Sequence, residues 1–254
     1  MPKSCWSEQF AMADLEQLEA TDTLKAEGRE PGAGSQPTKI KFGTDGWRAV
    51  IADDYTFQNV RRVAGAIASY VLKHEDPSKG VIVGYDTRFG SPWFARAAAE
   101  ILSNAGIPVK LASDYTPTPA ISLAVKNQDR AGGVVITSSH NPWNWNGVKF
   151  KGKFGGSATP AIMKIIEQET AAGSMPRGEK APIEEVDLKA AYIRALCRFT
   201  DLDLIAKAKF KFAIDSMYGS GRGVLAQIFK DHGDPKINAE NLLKAALEAT
   251  MQKV

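Results

Sequence analysis

From residue 39 onward, apolar positions alternate between helical spacing and short unbroken runs. Phe57, Val60, Val63, Ala64, Ile67 and Val71 recur at helical spacing behind Thr56, a good N-cap, so an amphipathic helix is expected over 56–74. Val81 to Tyr85 reads as a short apolar strand. Ser91 and Pro92 read as the cap and first-turn pair of a helix with Phe94, Ala98, Ile101 and Leu102 on its buried stripe and Gly106 as its stop. A strand over 107–112, a short helix over 119–128 and strands over 132–137 and 147–150 follow. Ser157, Thr159 and Pro160 then open a helix with Ile162, Ile165 and Ile166 on its core face, closed by Gly173. Strands flanked by helices at these intervals predict an α/β fold: a three-layer α/β/α sandwich over 39–180 with a mainly parallel mixed sheet. In such sheets ligands favour the carboxyl ends of the strands.

Both flanks differ from this block. Residues 1–38 are acidic, carry little periodic pattern and end in a Gly- and Pro-rich run, so they read as a flexible extension, with a short helix at most between Asp14 and Leu24. Residues 174–186, with Pro176, Gly178 and Pro182, read as a connection. Beyond it come a helix over 187–199, a strand over 210–214, a glycine-rich turn at Asp215 to Gly223 opening a helix, and one more helix from Asn238. A single strand between helices cannot bury both of its faces, so 187–254 is expected to be an incomplete second α/β domain. The open edge and uncovered apolar face of such a half domain would promote self-association.

Composition narrows the function classes. A chain of 254 residues, 44% hydrophobic and 24% charged with a net charge of +3 and no basic block, gives no reason to expect nucleic acid or a membrane surface as partner. No apolar run approaches the roughly 20 residues of a membrane span, and Glu8 and Asp14 break the start of the chain, which is no secretory signal. Cys5 and Cys197 have no ligand-like spacing with His74, His140 and His232, so neither zinc nor a disulfide framework is suggested and a reducing cytoplasm is expected.

The chemistry concentrates where the apolar run Gly132 to Ile136 ends in Thr137-Ser138-Ser139-His140-Asn141-Pro142, followed by Asn146-Gly147-Val148-Lys149. A hydroxyl, an imidazole, an amide and an ammonium gathered at one strand end suit phosphoryl chemistry. Each has a plainer reading: Ser and Asn also cap free backbone groups, Lys149 also reads as a solvated strand-end lysine, Arg48 as a surface residue at the start of a strand, and Trp143 and Trp145 as packing or hairpin residues. A serine hydrolase is disfavoured, because Ser139 and His140 are neighbours expected to point apart and no Gly-x-Ser-x-Gly surrounds the serine. Gly219-Ser220-Gly221-Arg222-Gly223 misses the dinucleotide fingerprint by one position and reads as a strand-to-helix turn, and no Walker-type Gly-Lys-Ser or Gly-Lys-Thr is present.

Phe42-Gly43-Thr44-Asp45-Gly46-Trp47-Arg48, Gly84-Tyr85-Asp86-Thr87-Arg88, the Thr137 to Pro142 run and Asn146 to Lys149, in this order, closely resemble the first domain of the alpha-D-phosphohexomutases, the phosphoglucomutase and phosphomannomutase group. Asp215 to Gly223 is similar to the entry of that family's second domain. The resemblance implies an intramolecular phosphotransferase, an isomerase, in which Ser139 carries a phosphate and exchanges it with a phosphorylated hexose. Lys149 is then general base or charge stabiliser, His140 and Arg48 are neighbouring catalytic groups, and Asn141 and Arg88 bind substrate, Arg88 by orienting the site. It also implies glucose 1,6-bisphosphate as activator and phosphoryl donor, and Mg2+ held partly by the phosphate on Ser139.

The chain departs from the family pattern in one respect that bears on the chemistry. Relatives bind magnesium with an Asp-Gly-Asp-x-Asp-Arg loop, which this chain lacks; Asp201-Leu202-Asp203 and Asp231-His232-Gly233-Asp234 fit a helix cap or turn better than a metal site. The family's third and fourth domains are also missing, so the chain reads as a fragment, with a non-catalytic remnant or phosphosugar-binding module as the alternative to an enzyme. A missing metal forfeits several kcal/mol of charge stabilisation, and each ~1.4 kcal/mol is about tenfold in rate. Mutase turnover by this chain alone is therefore expected to lie at least roughly a thousandfold below a full-length relative in a coupled assay with glucose 1-phosphate.

Overall fold

The computed structural model describes residues 39–43, 45–207 and 214–231. Among these, six strands form one mixed sheet in the order β1-β5-β4-β2-β3-β6. Strands β2 (Val81–Tyr85), β3 (Val109–Ala112), β4 (Gly132–Ile136) and β6 (Ile183–Val186) pair in parallel, while β5 (Trp145–Gly152) runs antiparallel to both β4 and β1 (Trp47–Val50). The expected α/β/α sandwich with a mainly parallel mixed sheet is therefore what forms. The β4–β5 reversal brings Lys149 opposite Val135, and the β1–β5 pairing sets Gly147 opposite Arg48.

Side chains alternate across the sheet as its pleat requires. Val81, Val83, Val134 and Ile136 enter one core with helices α1 (Phe57–His74), α2 (Ser91–Asn104) and α4 (Pro160–Ala171). Ile82 and Val135 enter the other, with Ile121 and Val125 of α3 (Thr118–Asn127) and with Leu188, which leads into α5 (Lys189–Phe199). Burial on both faces is why these strands read as unbroken apolar runs. Two further helices, α6 (Leu202–Lys207) and α7 (Val224–Asp231), follow in the chain.

Helix ends explain most of the boundaries. Thr56 Oγ1 accepts from the Asn59 amide and Thr159 Oγ1 from the Ile162 amide, as N-caps do. Ser91 does not cap α2. Gly90, at φ +74°, holds the cap position, and the fully buried Ser91 hydroxyl instead donates to Asp86 Oδ1 at 2.8 Å. The connection expected over 174–186 contains β6, an edge strand with one neighbour, whose Ile183 and Val186 are half-buried while Glu184 and Glu185 face solvent. A single-faced strand of four residues needs too few apolar positions to announce itself. The helix expected at 157–173 has Met163, Ile166 and Thr170 as its buried residues, with Ile162 and Ile165 packed alongside. The N-terminal extension, the strand at 210–214 apart from Ile214, and the helix from Asn238 lie outside the described residues.

Glu169, near the end of α4, fastens that helix to α1. It accepts from Ser69 Oγ at 2.8 Å, from Lys73 Nζ at 2.7 Å and from Ser174 Oγ at 2.5 Å. The Lys73 ammonium and the two hydroxyls outweigh the opposing effect of burial and hold the carboxyl down at about 2. Because the folded value lies below the unfolded one, this contribution is complete above roughly pH 4.5 and is lost as pH falls toward 2. Glu169→Gln is expected to flatten that part of the acid-unfolding profile and to lower stability near neutral pH by about 1 kcal/mol, measured by urea unfolding across the pH range.

Candidate active site

The turn between β4 and β5 sits at the carboxyl end of the parallel strands and is built from the sheet upward. Thr137 and Ser138 are buried, whereas Ser139 and His140 are exposed. Ser139 takes a left-handed φ of +56°, an uncommon conformation for a residue with a side chain and frequent at functional turns. Its amide donates to Thr137 Oγ1 at 3.0 Å, and the Asn141 amide closes the turn onto the Ser138 carbonyl at 3.1 Å. The Ser138 hydroxyl is buried without a partner.

Arg88 holds this turn from the adjacent loop after β2. Its Nη1 donates to the carbonyls of Pro142 (2.7 Å) and Trp145 (3.0 Å), and its Nη2 to those of Ser139 (2.8 Å) and Asn141 (2.6 Å). Asp86 lies 3.5 Å from Arg88 Nε, accepts from the Arg88 amide at 3.0 Å, and takes the Ser91 hydroxyl described above. Ser91 Oγ in turn accepts from Asn146 Nδ2 at 2.9 Å, and Asn146 Oδ1 accepts from the Gly147 amide. One buried polar chain thus joins the end of β2, the start of α2 and the start of β5. Tyr55 completes it by donating to the Gly147 carbonyl at 3.0 Å, which also receives the Thr137 amide. Burial, followed by the nearby Asp86 charge, pushes the Tyr55 phenol well above its ordinary value, so it stays a donor.

The expected site residues are distributed as follows. Ser139 Oγ lies 3.4 Å from His140 Nδ1, so the two do not point apart as their adjacency suggested; the left-handed turn brings them together. Arg48 Nη1 donates to Asn141 Oδ1 at 3.3 Å, which places a guanidinium on the same turn. Lys149 is almost fully buried on β5, with its Nζ 2.6 Å from Asp45 Oδ2. Burial tends to raise the Asp45 carboxyl, but Lys149, Ser157 and Lys151 together hold it below its ordinary value. Gly46 makes this arrangement fit: its φ is +99°, and a Cβ there would lie 2.3 Å from the Val148 carbonyl oxygen. Trp143 stands in the hairpin connection with 85% of its surface exposed and is not a packing residue. A cleft of about 510 Å³ opens beside the turn at the ends of β2 and β3, bordered by Arg88, Phe89, Trp93, Tyr115 and Arg222.

The described residues do not fit the implied magnesium ion. Among the described residues no group of three or more His, Cys, Asp or Glu side chains is arranged to hold a metal, and the turn that carries Ser139 is flanked by the guanidinium donors of Arg48 and Arg88. Asp201 serves as a cap, accepting from the Leu204 amide at 2.9 Å.

Comparison with known proteins identifies the family. Residues 39–177 match the family described as "Phosphoglucomutase/phosphomannomutase, alpha/beta/alpha domain I". The chain belongs to this family. Its relatives include a phosphoglucomutase from Staphylococcus saprophyticus, 34% identical over 169 residues that make up 65% of this chain and 30% of that protein. A phosphoglucosamine mutase from Natranaerobius thermophilus is 34% identical over 209 residues, 79% of this chain and 45% of the relative. The crystal structure of a putative phosphomannomutase from Thermus thermophilus is 37% identical, with a TM-score of 0.68 over 77% of this chain and 44% of that one. The chain thus spans less than half the length of each of these members of the phosphoglucomutase/phosphomannomutase family.

Sequence reasoning picked out the serine turn and Arg48. It gave no role in the site to Tyr55, Ser91 or Asp45, each of which has a partner far along the chain, 92, 55 and 104 residues away. Arg88→Ala is expected to destabilise the fold by about 2–3 kcal/mol, since it strips hydrogen bonds from four carbonyls and the counter-ion from Asp86. The same change should accelerate amide hydrogen exchange at 139–145 well beyond that elsewhere in the sheet.

Proposed function

We propose that this chain performs phosphoryl exchange on hexose phosphates through a phosphoserine at Ser139, the step expected of a phosphohexomutase. The observation that carries this reading is an exposed serine hydroxyl on a left-handed turn whose backbone is held by Arg88 and whose flank carries Arg48, Asn141 and His140. Ser139 Oγ attacks a phosphoryl group of glucose 1,6-bisphosphate. The bond from phosphorus to the sugar oxygen breaks, the bond to Oγ forms, the serine proton passes to His140 Nδ1 and from there to solvent, and the departing sugar oxygen takes up one proton from solvent. The reverse steps return the phosphoryl group to a hexose monophosphate.

Phosphoryl transfer depends mostly on fixed positive charge around the spreading negative charge of the transition state. Arg48 supplies it at the turn, with Asn141 orienting its guanidinium. Lys149, paired with Asp45 at 2.6 Å, is the second basic side chain of the scheme, as charge stabiliser or general base. Arg88 acts by positioning: its donors are spent on four carbonyls and on Asp86, which leaves none for a substrate. The second reading is a phosphosugar-binding module without turnover, served by the same exposed turn and the cleft beside it. The proposed setting is the cytoplasm, on the cysteine usage given above.

Intact mass after incubation with glucose 1,6-bisphosphate separates the two readings. The enzyme reading expects the gain of one phosphate, abolished in Ser139→Ala and slowed about tenfold or more in Arg48→Ala, whose lost charge-assisted contact is worth at least ~1.4 kcal/mol. No gain in the unaltered chain would leave the binding module.

A further inference from the structure

Asp45, Lys149 and Lys151 form a cluster with one more positive charge than negative. The two lysines are two residues apart on β5, so their side chains leave the same face of the sheet. Both are almost fully buried, at 7% and 5% exposed. Asp45 serves both: Oδ2 lies 2.6 Å from Lys149 Nζ and Oδ1 lies 3.9 Å from Lys151 Nζ, which donates to Ser157 Oγ at 2.9 Å. A buried ammonium without a full counter-ion is costly. Accordingly, burial lowers the Lys151 amine below the usual lysine value, with Asp45 opposing the shift and Lys149 adding to it.

The parts of this cluster differ in freedom. Asp45 has a short side chain on backbone pinned by the close approach of Gly46 to Val148, whereas each lysine has a flexible four-carbon stem. Rearrangement is therefore by movement of the amines about a fixed carboxylate. Lys151 has to move by only about 1 Å to make a full ion pair with Asp45, whose ideal N–O separation is ~2.8 Å.

We propose that Asp45 and Lys151 are an exchange pair that governs the release of Lys149. With Ser139 bare, Lys149 is parked on Asp45; when a phosphoryl group arrives at the turn, Lys149 transfers to its oxygens and Lys151 closes onto Asp45 in its place. The incoming anion balances the excess positive charge, and at no stage is the carboxylate left alone. Lys151 and Asp45 are positioning residues in this scheme, which rests on the phosphoserine reading above.

The test measures the limiting rate of phosphate uptake from saturating glucose 1,6-bisphosphate, by intact mass, for the unaltered chain, Lys151→Met, Lys151→Arg, Asp45→Asn and the double variant Asp45→Asn/Lys151→Met. Lys151→Met is expected to slow uptake about tenfold or more, because Lys149 must then leave an unpaired carboxylate. Lys151→Arg, which keeps the charge, should stay within roughly threefold of the unaltered chain, and so should the double variant, in which Lys149 is no longer parked. A merely structural role predicts the opposite, with the two losses adding in the double variant. Should Lys151→Met fail to fold by circular dichroism, the arginine variant and the charge-neutral double variant carry the comparison. No uptake by the unaltered chain would sink the phosphoserine reading and this inference with it. Uptake by the unaltered chain together with an unslowed Lys151→Met, or a double variant slower than Asp45→Asn alone, would overturn the exchange pair only.

Discussion

The guanidinium of Arg88 is the interaction on which the site depends. A turn that must expose a hydroxyl at a sheet rim cannot use that hydroxyl to stabilise itself, and its carbonyls are left without strand partners. Arg88 meets four of them from a fixed planar fork, and Asp86 neutralises and orients the fork in turn. Because Asp86 also receives Ser91, which receives Asn146, the turn is tied to the start of α2 and to the strand that follows it. The exposed hydroxyl of Ser139 therefore stands on a frame held by side chains that bond to the turn's own backbone and to one another.

Charge follows a similar division. Arg48 and Arg88 bond to uncharged oxygens of the turn, Arg88 with Asp86 as its counter-ion, while the more deeply buried Lys149 and Lys151 share the carboxylate of Asp45. Positive charge is thus gathered on the turn and on β5, the strand that follows it. Low dielectric around the lysines strengthens that field, and it also explains why a counter-ion is required in the resting state.

The fold was legible where burial on both faces of the sheet demanded it. β2 and β4 read directly from Val81 to Tyr85 and Gly132 to Ile136, because a strand covered by helices on both sides must be apolar throughout. β6 was illegible for the converse reason: an edge strand asks for two half-buried residues, and Pro182 beside it argued for a loop. Ser91 misled because a serine before a proline has the local chemistry of a cap, whereas its hydroxyl is claimed by Asp86, five residues earlier and in the core of the polar chain. At the site, the serine turn and its companion motifs were visible as contiguous residues. Asp45 stood within a motif yet gained no role, since its importance depends on a register between strands that only the folded sheet supplies.

The pairing of two serines at 138 and 139 shows how the fold resolves a chemical ambiguity. Side by side in the chain, their hydroxyls have the same intrinsic reactivity. Folding seals the first beneath the turn, where its oxygen meets neither water nor a partner, and lifts the second into solvent. Of the twins, only the second can be reached from solvent, so access is what tells them apart.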